Sequence, residues 1–161
     1  MWRLSYRADP SARRLADRHY SRQNPGAAQF VPPGRCLVLT AGNPVKALWV
    51  TSWPFAEYTK HAWAGAWVCS LFRNEGAGLS SSLIREAVGA TLWSFGPPPT
   101  LGMITFVKTS AIESRNPGYC YKRAGFKNVG HTKGGLVALQ MLPDAMPPAK
   151  PPMGSQVELF K

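Results

Sequence analysis

At 161 residues the chain is long enough for one domain with a real core, and 45% hydrophobic residues with six tryptophans exclude a disordered basic tail. Nineteen Lys and Arg against eight Asp and Glu give a net charge of +11, which points to a polyanionic partner. The longest apolar stretch, "AWAGAWVC" at 62–69, is too short to span a bilayer, the N-terminus holds no apolar run of the signal-peptide kind, and three cysteines (Cys36, Cys69, Cys120) follow neither metal nor disulfide-framework spacing. The expectation is a cytoplasmic, reduced protein with no membrane or metal partner.

In chain order, "PSARRLADRH" at 10–19 predicts a short helix with Ser11 as N-cap. A Pro- and Gly-rich loop follows at 19–34. "RCLVLTAGNPVKALWVTSW" at 35–53 predicts two strands joined by an "AGNP" turn. "HAWAGAWVCSLF" at 61–72 is almost unbroken in its apolar content and reads as a central strand. After "RNEGAG" at 73–78, the helical spacing of Leu83, Ile84, Ala87, Val88 and Leu92 predicts a helix over 79–93. "FGPPPTLG" breaks it, and "MITFVKTSAI" at 103–112 is the next strand. "NPGYCYKRAGF" at 116–126 reads as a short helix ended by Gly125, and "GGLVALQML" at 134–142 as a last strand. The order predicts a single mixed α/β domain, 1–142, with helices on the faces of its sheet. A proline-rich tail, 143–161, is expected to lie along the surface or hang loose.

The charge is concentrated in two blocks. Residues 1–22 hold six arginines (3, 7, 13, 14, 18, 22) against two aspartates. Residues 108–133 hold Lys108, Arg115, Lys122, Arg123, Lys127 and Lys133 against Glu113 alone. A merely solubilising surface usually mixes both signs. The blocks are therefore expected to form one face for nucleic-acid phosphates, with Arg13, Arg14 and Arg18 from the first and Lys122, Arg123 and Lys127 from the second. CoA, through its phosphates, would use part of the same field. Neither block has the apolar face of an amphipathic membrane helix.

The stretch Arg73-Asn74-Glu75-Gly76-Ala77-Gly78 fits the pattern Gln/Arg-x-x-Gly-x-Gly/Ala, placed between a strand and a helix start. Free N–H groups, the positive end of the helix dipole and glycines without a Cβ suit a pyrophosphate, and Ser80, Ser81 and Ser82 add hydroxyls. Taken alone, the six residues also read as a turn and a helix cap. Neither G-x-G-x-x-G nor Gly-Lys-Ser/Thr is present. After a further strand comes Tyr121 in "YKRAGF" at 121–126.

Strand, Arg-x-x-Gly-x-Gly, helix, strand, short helix with Tyr-x-x-x-Gly-Phe and final strand together resemble, over residues 35–142, the GNAT superfamily of acyl-CoA-dependent N-acyltransferases. The resemblance implies a mixed, mostly antiparallel central sheet and acetyl-CoA as co-substrate. It places the CoA pyrophosphate on Arg73, Gly76, Ala77, Gly78, Leu79 and Ser80, and makes Tyr121 the acid that protonates the leaving thiolate, with Tyr119 as its rival. A phenol suits that role because its pKa lies close to that of the thiolate. More narrowly, His19-Tyr20-Ser21, "LSSSLI" and "NPGYCYKRAGFKNVGHTKGG" are similar to the phage Mom-like branch, whose members modify DNA bases so that host nucleases fail to cut. Where the late strand of that branch ends in an acidic residue, this chain has Lys108-Thr109-Ser110, which sets it apart from Mom's adenine chemistry.

An adenine amine is conjugated with its ring and a poor nucleophile, whereas an alkylamine on a modified pyrimidine is a good one once neutral. The resemblance therefore implies N-acetylation of an aminoalkyl-modified pyrimidine in phage DNA. Mom-like adenine modification, a protein, tRNA or small-molecule amine, and a non-catalytic basic nucleic-acid-binding module remain the alternatives. His19 is the first choice of general base and His131 the second. Glu75 and Glu86 read as structural, Glu57 and Glu113 as further carboxylates, and a water relay would need no base. The tryptophans read as core, although Trp53, before Pro54 at a strand end, is also placed to stack on a base. Cys69 and Cys120 read as small apolar fillers.

Overall fold

A computed structural model describes residues 1–22, 24–109 and 118–155. One sheet contains β1 (Arg3–Leu4), β2 (Arg35–Ala41), β3 (Ala47–Trp53), β4 (Trp67–Asn74), β5 (Met103–Val107), β6 (Lys127–His131) and β7 (Val137–Met141). Their order is β1-β2-β3-β4-β5-β7-β6, and every neighbouring pair is antiparallel except β4 and β5. Among the described residues three α-helices accompany it: α1 (Pro10–Asp17), α2 (Ser80–Phe95) and α3 (Tyr119–Ala124). The mixed α/β, mostly antiparallel class is as expected.

β2, β3 and β5 are buried along most of their length and are mostly apolar in sequence, whereas β4 alternates buried with half-buried residues. Along β3, Ala47 and Trp49 enter a core shared with α2 and α3, while Leu48 and Val50 enter a second core under α1. That period of two assigns α1 to one side of the sheet and both other helices to the opposite side. Ala12, Leu15 and Ala16 seat α1, and Leu83, Ile84, Ala87 and Val88 seat α2.

Several local expectations need correction. The N-cap of α1 is Asp9, not Ser11: its carboxylate accepts from the Ser11 N–H at 2.9 Å and the Ser11 hydroxyl at 2.6 Å. Pro10 then takes the first helical position, where a missing N–H leaves no bond unmade. β4 begins at Trp67, because residues 61–66 turn, with Gly65 at φ +98° and the Ala66 N–H bonded to the Trp63 carbonyl. β1 and β6 were missed. β1 is two residues long, and "KNVGH" of β6 is an exposed edge strand with no apolar alternation to mark it. The tail is docked as far as it is described: Lys150 N–H donates to the Gly89 carbonyl and Met153 N–H to that of Trp2. Glycine at 89 permits this, since a Cβ there would stand 3.0 Å from the Pro148 oxygen. Glu113 and Arg115 lie outside the described residues.

Candidate functional site

The parallel pair creates the site. β4 and β5 are joined only through Trp67–Met103, Val68–Ile104 and Cys69–Thr105. The Thr105 hydroxyl closes this ladder by donating to the Cys69 carbonyl at 3.0 Å. β4 then continues to Asn74 with no strand on that side among the described residues. On its other side, Val50 faces Leu71 and Thr51 faces Cys69, so Ser70 is an inserted residue that adds local twist. Between the diverging strands lies a cavity of about 290 Å³, walled by Cys69 and Phe72, Phe106, Tyr121, and His19 and Tyr20 from the loop after α1. The Tyr20 hydroxyl donates to the Phe106 carbonyl at 2.7 Å and so ties that loop to β5. A second cleft of about 390 Å³, with Arg22, Gln29 and Phe30 on its wall, meets the first at Ser21, Ser70 and Leu71.

Tyr121 is buried, its ring edge-on to Phe72 and Phe126 and its hydroxyl 3.8 Å from Cys69 Sγ. Burial raises its pKa well above the ordinary value, so the phenol keeps its proton at neutral pH and is a weaker acid than the expected match with the thiolate. Tyr119, in contrast, is 54% exposed and does not line the cavity. His19 stacks on Tyr20 with ring centroids 4.2 Å apart. Its Nδ1 accepts the Ser21 N–H at 3.1 Å and lies 2.8 Å from the Ser21 hydroxyl, which leaves the proton of the neutral ring on Nε2. Burial, and then the positive field of Arg73, lower the His19 pKa to about 4. His19 is thus a neutral ring with a donor to offer, and the free lone pair wanted of a base is absent in this tautomer.

The other base candidates stand elsewhere. His131 and Glu57 are exposed outside the cavity, and Glu86 pairs with the terminal amine of Met1 at 2.8 Å. Trp53 packs against Phe95 and Trp67, at centroid distances of 5.6 and 5.7 Å, beneath Arg35. It is partly buried and packs against the core, outside the cavity. Burial raises the thiol of Cys69 to about 12 and that of Cys120 upward, which keeps both protonated and unreactive.

The glycine loop connects β4 to α2. Asn74 organises it: its Oδ1 accepts from Gly76 N–H and Ala77 N–H at 3.1 and 2.9 Å, and its Nδ2 donates to the Gly78 carbonyl and the Ser80 hydroxyl at 2.7 and 2.9 Å. Two of the amides expected to hold pyrophosphate are therefore already occupied. Leu79 stands at the N-cap without a side-chain acceptor, so no side chain caps the first turn of α2, Ser80 to Ser82, among the described residues. Those amides remain for an anion. Gly76 and Gly78 both have positive φ, +106° and +154°. Arg73 turns back onto Glu75, which also receives Arg14 and Arg18.

The basic blocks do not form one face. α1 and α3 lie on opposite sides of the sheet, so the two blocks flank the fork from either side. In the first, Arg3, Arg7 and Arg22 donate to loop carbonyls, Arg22 also to Asp17 at 2.9 Å, and Arg14 and Arg18 to Glu75, while Arg13 is exposed. In the second, Lys122, Arg123 and Lys127 are exposed, and Lys108 lines the cavity.

Sequence reasoning missed Tyr20 as a wall residue, Ser70 as a bulge and Asn74 as the loop's organiser. "HYS" and the Asn two residues before a Gly were the only signals available. Among the described residues no helix is long and apolar enough to cross a membrane, and no group of three or more His, Cys, Asp or Glu could hold a metal ion. No protein-family model, curated protein or solved structure matches the chain.

Proposed function

We propose that the chain is an acetyl-CoA-dependent N-acyltransferase of the GNAT type that acylates an amine on a phage DNA base, most concretely an aminoalkyl-modified pyrimidine. The observation that carries this reading is the fork. A single parallel pair separates after three residues around a cavity with a buried phenol on its wall, and a glycine loop leads from its longer arm to an uncapped helix. The open edge of β4 offers backbone donors and acceptors to an amide-bearing arm, and the first turn of α2 offers its amides to phosphate.

Acetyl-CoA supplies an activated acyl carbon and a sulfur leaving group. The acceptor's N–C bond forms as the C–S bond breaks, Tyr121 gives its proton to the sulfur, and the proton lost by the amine passes to solvent, from which the phenol is restored. Held by Ser21, His19 donates from Nε2 to an oxygen and so fixes the reacting group; the water relay replaces a dedicated base. Lys108 on the cavity wall disfavours a protonated amine nearby. This suits an alkylamine, which needs only to be neutral, better than an adenine amine, which needs activation. The engagement of most N-terminal arginines with the chain itself favours, as second reading, a small-molecule or nucleotide amine.

The test is mass spectrometry of nucleosides from DNA carrying aminomethylpyrimidine after incubation with protein and acetyl-CoA. The reading expects one added acetyl group on that nucleoside. Acetylated free amines beside unmodified DNA would select the second reading.

A further inference from the structure

We propose that Arg14, Arg18 and Arg73 form a phosphate clamp, pre-ordered by Glu75 as a built-in counter-ion. Both oxygens of Glu75 are used by guanidinium groups: Oε1 accepts from Arg18 at 2.8 Å and Arg14 at 3.3 Å, and Oε2 from Arg73 Nε at 2.5 Å. The frame around them is fixed by the backbone. Arg14 also donates to the Val45 carbonyl at 3.0 Å, Arg73 to that of Arg18 at 3.3 Å, and the Glu75 N–H to that of Lys46 at 2.6 Å.

Three guanidinium groups around one carboxylate leave a local excess of +2. The side chains of Arg14 and Arg18 stay about half exposed, at 49% and 50%, whereas Glu75 is only 20% exposed. The carboxylate is thus spent inside the cluster, while Arg14 and Arg18 keep about half of their side-chain surface open to solvent. Planar forks held at fixed angles match the paired oxygens of a phosphate, and holding them in advance removes part of the ordering cost of binding. Arg73 follows Phe72 of the cavity wall and donates to the carbonyl of Arg18, the residue before His19 on that wall. A phosphate in the clamp would therefore sit beside the cavity wall, at the end of β4 where the glycine loop begins.

The same phosphate chemistry is available from a nucleotide thioester and from a DNA backbone. The clamp makes Arg14 and Arg18 a point site in either case, instead of part of a diffuse basic face. It rests on the cluster's geometry and does not require acyl transfer.

Calorimetric titration of the full chain with inorganic pyrophosphate at low ionic strength tests it without any turnover. The Arg14→Ala/Arg18→Ala double variant should bind about tenfold or more weakly, since charge-assisted hydrogen bonds are lost. The Arg14→Lys/Arg18→Lys variant should recover only part of this, because charge returns without the fork. Lys60→Ala, an exposed cation away from the cluster, should bind as wild type and unfold at the same temperature. Weaker binding of acetyl-CoA by the double Ala variant, with acetyl-pantetheine unaffected, assigns the phosphate to the cofactor. A DNA-binding salt dependence flattened by about two phosphate contacts assigns it to the strand. Wild-type protein that takes up no pyrophosphate, or a folded double variant with unchanged affinity, overturns the clamp.

Discussion

The two side chains that matter most at the fork are a phenol and an imidazole, and burial acts on them in opposite ways. It keeps Tyr121 protonated and His19 unprotonated at neutral pH. Tyr121→Phe preserves the ring between Phe72 and Phe126 and removes only the proton. Turnover should fall by roughly 10²- to 10⁴-fold, with acetyl-CoA affinity retained, while Tyr119→Phe should behave as wild type in the same steady-state assay. His19 makes a separate prediction on pH. Its pKa is about 4 in the folded chain against 6.5 for the free side chain. Between those values the unfolded chain binds a proton that the folded chain refuses. The stability contributed by neutral His19 is therefore complete above about 6.5 and declines as pH falls toward 4. Urea midpoints measured across that window should fall less steeply in His19→Gln than in wild type. No inflection in kcat/KM from His19 is expected near neutrality; the acid limb should follow the pKa of the acceptor amine.

At the scale of elements, the loop between β4 and α2 depends on one side chain that the motif leaves unspecified. Asn74→Ala removes the acceptor for Gly76 and Ala77 N–H and the donor to the Gly78 carbonyl. Acetyl-CoA should bind about tenfold more weakly, by calorimetry, with helix content unchanged. Gly76→Val should also weaken binding: its Cβ meets nothing within 4 Å, so the loss would report strain at φ +106° and blocked approach, with no clash in the core. Unchanged affinity in both variants would mean that the loop is only a turn. The strands β2 and β3, the helix α2, this loop and the helix of Tyr121 were legible because apolar periodicity and glycine placement are local signals. The fork was not. It arises where Ser70 is inserted opposite β3, yet "CSLF" reads as an uninterrupted strand. Tyr20 reaches a carbonyl 86 residues away, and Glu75 draws cations from residues 57 and 61 positions distant. Such contacts leave no periodic trace. β6 escaped for the opposite reason: an exposed edge strand needs no apolar face, so it carries no pattern.

For the whole molecule, the net charge of +11 is spread over both sides of the sheet. Arginines of the first block mostly hold loops or the Glu75 cluster, and the second block presents Lys122, Arg123 and Lys127 as exposed side chains. Duplex DNA should therefore bind with an affinity that falls steeply with salt, by a log–log slope of about 0.9 per neutralised phosphate. Reversing charge at Lys122, Arg123 and Lys127 should flatten that slope, while reversal of Arg13 alone should change it by no more than one contact. Reaction at a base inside a duplex further requires extrusion, at a cost of about a few kcal/mol, so single-stranded substrate should react faster. The central claim, acyl transfer at the fork, is tested most directly by following free thiol and acetylated nucleoside together. The measurement uses acetyl-CoA and single-stranded DNA bearing aminomethylpyrimidine. The account predicts that wild-type protein releases thiol one-for-one with acetylated base, and that Tyr121→Phe slows both by about 100-fold or more. Thiol release no faster than without protein, or a Tyr121→Phe variant as fast as wild type, would contradict it.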